Sequence, residues 1–144
     1  MLEITNLTKT AVDKKLLTGV AKVVFKGENV GKEKEVSVVF VNSNKIKEWN
    51  KKFRGADKPT DVLSFEGEER FLGTIVICPA EVRKNASSFA KAPKDKKEIN
   101  SSFKKELAFV FIHGILHLLG YEHESNKGKA EKMRNREKYY LSQI

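Results

Sequence analysis

The chain has 144 residues, 40% of them apolar and 33% charged, and its 28 Lys and Arg against 19 Asp and Glu give a formal charge of +9. That length suits one domain, residues 1–144, around one core; the basic surplus favours a polyanionic partner, nucleic acid or an anionic surface, although lysine-rich surfaces also arise for solubility alone. The lone cysteine, Cys78, excludes an internal disulfide and any CxxC site, no secretory signal is visible, and the longest greasy run, LAFVFIHGILHLLG, is too short to span a bilayer, so a cytoplasmic protein without a membrane partner is expected.

LEITNL reads as a first short strand, and AVDKKLLTGVAKVVFKG as a helix with Val12, Leu16, Val20 and Val23 on one stripe and Gly27 near its end. EVSVVFVN is β-branched and apolar, as a largely buried strand requires. SNKIKEWNKKF is expected to be a short helix capped by Ser43 or Asn44, with Ile46 and Trp49 on its inner face and Trp49 a core anchor. After a Gly/Asp/Pro loop over 55–59, TDVLSF and FLGTIVIC form two strands, antiparallel through the turn EGEER, with Cys78 a small hydrophobe at a strand end. Pro79 suits the first position of a helix PAEVRKNASSFA, and KAPKDKKEIN reads as a basic, mobile connector. SSFKKELAFVFIHGILHLL is expected to be a long buried helix ended by Gly120, followed by a charged last helix, KGKAEKMRNREKYYLSQ, that docks through Met133, Tyr140 and Leu141. The sum is an α+β fold: a small mixed four-stranded sheet packed by about five helices, the central one buried.

All three histidines fall within HGILHLLGYEH, residues 113–123. His113 and His117, four apart on a helix, stack on one face, and Gly120 allows the chain to leave the helix so that His123 swings back toward the same point. A histidine on an apolar helix face is often a core residue with a satisfied hydrogen bond, but burying two without partners costs several kcal/mol, and one metal would satisfy both. Three neutral imidazoles leave a fourth tetrahedral position for water, which describes a catalytic zinc, one per chain, rather than a structural one. The spacing H-x3-H-x2-G-x2-H also matches the metzincin proteases, yet Gly114 stands where such enzymes carry the glutamate that shuttles protons. A metallopeptidase therefore needs Glu122 or another carboxylate as replacement.

HGILHLLGYEH resembles the signature of the YbeY family, bacterial single-domain metalloproteins implicated as endoribonucleases in ribosomal RNA maturation; FRGADKPTDVLSF resembles that family's loop-and-strand motif, and LGTIVIC its next strand. The resemblance covers nearly the whole chain and implies a zinc-dependent, single-strand-specific endoribonuclease. Its implied partners are ribosomal RNA and the small ribosomal subunit, and its implied roles are maturation of the small-subunit RNA 3′ end and ribosome quality control. It implies His113, His117 and His123 as metal ligands and Arg54 as a functional arginine in the cleft, where a guanidinium would suit the charge that grows on a phosphodiester. Glu122, standing where the family usually has Asp, is a candidate to orient a ligand or handle a proton; Asp61 and Ser64 are expected to support strand and cleft. Thr74 replaces a common family aspartate, and the lysine-rich connector is longer than usual. Lys51, Lys52, Lys58 and the connector lysines would contact RNA backbone without reading sequence. The competing readings are the metallopeptidase and a non-catalytic, metal-stabilised ribosome-assembly factor.

Overall fold

The structure, a computed structural model, describes residues 1–88, 96–122 and 126–144, and for 87, 88 and 96–100 the backbone only. In chain order these form β1 (Leu2–Asn6), α1 (Lys14–Gly27), β2 (Glu35–Phe40), α2 (Ser43–Arg54), β3 (Val62–Glu66), β4 (Phe71–Ile77), α3 (Pro79–Ser88), α4 (Lys96–Leu118) and α5 (Lys127–Ser142). The mixed sheet has the order β1-β2-β4-β3, with β1 parallel to β2, β2 parallel to β4 and β3 antiparallel to β4. This is the expected α+β fold, and β3 is an edge strand of the sheet.

Side chains alternate across the pleat and so divide the core in two. Val36, Val38, Phe40, Ile75 and Ile77 face one side, where they pack with α1, α3, α4 and α5 in the main cluster. Val41, Leu63, Val76 and Cys78 form the second cluster with Ile46 of α2. The α4 helix is buried nearly all round from Leu107 to Leu116, and it comes so close to the sheet that a Cβ on Gly114 would lie 2.9 Å from Ile75 Cγ2. Glycine is what permits that approach. Among the described residues, no helix is long and apolar enough to cross a membrane.

Several local expectations need correction. Asp13 caps α1 by accepting from the Leu16 N–H, so Val12 precedes the helix; the fully buried stripe is Leu17, Val20, Ala21 and Val24, with Leu16 and Val23 on its flank. The cap of α2 is Asn42, ahead of both expected residues, with its side chain accepting from the Lys45 N–H. Ile46 is fully buried, but Trp49 is half-buried at the rim of the second cluster. Residues 96–100, read as connector, already belong to α4, as their helix-favouring Lys and Glu allow; 91–95 lie outside the described residues. Gly120, at φ 98°, leaves α4 in the left-handed conformation as expected. Met133 and Tyr140 are fully buried and Leu141 packs against the core.

Candidate active site

A cleft of about 950 Å³ runs beside β3 and brings together parts from both sides of the sheet. From α4 it receives His113 and His117, from the chain after α4 Gly120, Tyr121 and Glu122, from β3 and its approach residues 60–64 and Glu66, and from the last turn of α2 Arg54.

The histidines are held by their neighbours. Their rings meet edge to face, with centroids 4.4 Å apart at 84°, and their Nε2 atoms are 3.0 Å apart. His117 Nδ1 lies 3.0 Å from the Tyr121 carbonyl oxygen, which can only accept, so that nitrogen carries a proton. His113 Nδ1 lies 2.7 Å from Oε1 of Glu137 on α5, whose side chain is 7% exposed. When the carboxylate is ionised and both rings are neutral, their protons lie on Nδ1 and the Nε2 lone pairs face each other. Two lone pairs this close repel unless a cation sits against both, and a carboxylate or carbonyl behind each ring is the usual support of metal-binding histidine. The donor set therefore fits a divalent metal. His123, the third expected ligand, lies outside the described residues, and no group of three or more metal-binding side chains is assembled among the described ones.

A second layer fixes the chain after α4. Glu28, just past α1, accepts from Tyr121 Oη at 2.6 Å, from Arg136 Nη2 at 2.6 Å and from the Tyr140 hydroxyl. Burial alone would raise the Glu28 carboxyl, but hydrogen bonds from Tyr121, Tyr140 and Arg136 outweigh it and hold it below the usual carboxylate range. Burial and the same carboxylate push the Tyr140 phenol up to about 12. Neighbouring residues of α5 thus serve both histidines: Glu137 supports His113 directly, and Arg136 supports His117 through Glu28 and Tyr121.

Across the cleft, Gly55 (φ 74°) ends α2 directly after Arg54, and buried Asn50 donates to the Lys58 carbonyl at 2.9 Å, fixing the loop that follows. Arg54 Nη2 donates to the Ser64 carbonyl at 2.5 Å on β3, and its guanidinium carbon lies 5.3 Å from the centre of the Phe65 ring. Asp61 accepts from Asn85 Nδ2 at 3.0 Å, and Ser64 Oγ lies 3.4 Å from the Gly114 carbonyl, so both tie β3 to the helices behind it. Glu106, two turns before His113, is raised by burial and then by the charge of Asp61. Glu122 lines the cleft and pairs with Lys129 at 3.5 Å. Thr74 pairs in register with Phe65, on the α2 face of the sheet, and does not line the cleft. Glu137, Glu28 and Arg136 escaped the sequence reading; the available signal was Glu137 between Met133 and Tyr140, a carboxylate on the docking stripe of a charged helix.

Fold and cleft together define a small α+β domain with two histidines and an arginine gathered at one sheet edge. The chain belongs to the YbeY family: the family model described as Endoribonuclease YbeY matches residues 3–144. It is 44% identical over 108 residues to the Endoribonuclease YbeY of Thermotoga neapolitana, an alignment spanning 75% of this chain and 66% of that protein. With the Endoribonuclease YbeY of Pelotomaculum thermopropionicum it is 39% identical over 149 aligned positions, 94% of this chain and 91% of the relative. A solution structure of a Thermotoga maritima protein superposes with a TM-score of 0.64 at 36% identity, covering 98% of this chain and 87% of that one.

Proposed function

We propose that this protein is a zinc-dependent, cytoplasmic endoribonuclease that cuts single-stranded RNA in the maturation of the small-subunit ribosomal RNA 3′ end and in ribosome quality control, acting as one domain. The observation that carries the reading is the gathering of His113, His117 and Arg54 in one cleft of a YbeY-family chain. His113 and His117, with His123, would hold the zinc; when bound, it would polarise a phosphoryl oxygen or lower the pKa of a water. Glu137 and the Tyr121 carbonyl keep the histidine protons on Nδ1, so that Nε2 is available as a donor atom. Arg54, held by the Ser64 carbonyl, would receive the phosphate and the charge that grows on it during cleavage. Glu122, which lines the cleft, would accept or return a proton. Gly114, buried against Ile75, has no group for the leaving amine of a peptide, which weighs against peptidase chemistry.

The test compares the parent with Arg54→Ala, purified through identical steps, on end-labelled single-stranded and duplex RNA, with casein as peptide substrate. The expected result is metal-dependent cutting of single strands by the parent, at least about a hundredfold slower in Arg54→Ala, with casein intact. Equal rates in the two preparations would leave the arginine, and nuclease activity of this chain, without support. Metal analysis of His117→Ala should show loss of zinc.

A further inference from the structure

The C-terminal turn of α2 carries an exposed aromatic ring that neither fold nor chemistry uses. Phe53 is 52% exposed, although burying a phenylalanine is worth about 1.5–3 kcal/mol. Other aromatic rings are exposed among the described residues, Phe71 at 38% and Tyr139 at 49%, but Phe53 is the one adjoining a cleft residue in sequence. It is also held in place: its ring meets Phe65 edge to face, with centroids 5.3 Å apart. Phe65 in turn carries the Arg54 guanidinium, so Phe53 and Arg54 are seated on the same ring.

The surroundings are cationic. Lys51 and Lys52 precede Phe53, with Lys52 Nζ 5.2 Å from the centre of its ring, and Lys51 Nζ stands 3.9 Å from Asp57. A flat exposed ring, fixed by an aromatic neighbour and ringed by Lys and Arg, is how proteins grip single-stranded nucleic acid: the base stacks and the cations take the backbone. A membrane surface would want several exposed apolar side chains side by side; among the described residues, Phe53 is the one large apolar side chain of α2 that is exposed.

We propose that Phe53 is a base-stacking platform, taking an unpaired nucleobase of the RNA strand whose phosphate lies at Arg54. This rests on the endoribonuclease reading. It deepens that reading by giving the preference for single strands a physical cause, since a base stacked on Phe53 is not available to a duplex.

The experiment measures KM and kcat for the metal-loaded parent and for Phe53→Ala, Phe53→Leu and Phe53→Trp, on a short oligoribonucleotide and on versions carrying one abasic position each. In the parent, one abasic position beside the cut should raise KM about tenfold or more. Phe53→Ala and Phe53→Leu should raise KM on the intact strand by the same factor, with kcat within about threefold, and should no longer respond to that abasic position. Phe53→Trp should keep the parent's behaviour. If Phe53→Leu matches the parent, or all variants keep the parent's abasic sensitivity, the platform is overturned while the nuclease stands. If the parent fails to cut the intact strand, the nuclease reading fails, and the platform with it.

Discussion

Replacing Glu137 by glutamine keeps the shape of the side chain and removes the charge behind His113. The carboxylate oxygen is 2.7 Å from His113 Nδ1 on a side chain that is 7% exposed, so solvent screens the contact little. Hydrogen bonds to charged groups contribute about 1.5–3 kcal/mol and neutral ones about 0.5–1.5. The difference, about 1–1.5 kcal/mol, is a factor of roughly ten in an equilibrium constant, at the lower end of the 10–100-fold effect of removing such supports from metal-binding histidines. Glu137→Gln should therefore bind zinc about 10–100-fold more weakly, read by competition with a chromophoric chelator. Glu131→Gln, exposed on the same helix, should bind as the parent does. Affinity within twofold of the parent, in a Glu137→Gln chain with unchanged circular dichroism, would refute the claim that this carboxylate prepares the histidine as a ligand.

Glu28 predicts acid sensitivity. Its folded carboxyl lies below the usual carboxylate range, so its stabilisation is present above the ordinary value near 4.5 and disappears as pH falls through the lowered one. Glu28→Gln should melt lower than the parent at neutral pH, and the gap should narrow below about pH 4.5 in thermal melts; a constant gap would place the loss in packing instead. Gly114→Glu, which writes the peptidase residue into α4, sets Cβ 2.9 Å from Ile75 Cγ2 and puts a carboxyl into the helix–sheet contact. It should lose at least about 3 kcal/mol by chemical denaturation and gain no casein hydrolysis; a parent-like midpoint would show that the contact yields.

The strands were readable because β-branched runs and turn residues act locally, and the histidine pair because a spacing of four places side chains together on any helix. Boundaries moved where one residue decides: Asn42 rather than Ser43 caps α2, and Asp13 starts α1 after Val12, leaving that valine outside the helix. The supports of the site were harder to see. Glu137 is 24 positions from His113 and stands among exposed charges of the same helix, so only the packing of α5 on α4 separates it from them. Glu28 is more than ninety positions from Tyr121, and no local pattern links a residue just past α1 to the loop after α4.

The placement of these supports also sets an order in time. A chain made from its N-terminus can pair its strands and lay α4 across them before α5 is available, because domains begin folding while synthesis continues. At that stage His113 lacks the Glu137 carboxylate that orients it, and Glu28, which holds Tyr121 beside His117, lacks Arg136. Competence at the cleft arrives with residues 127–142, after the rest of the fold. The cleft would thus stay incomplete until α5 has been made and packed against α4.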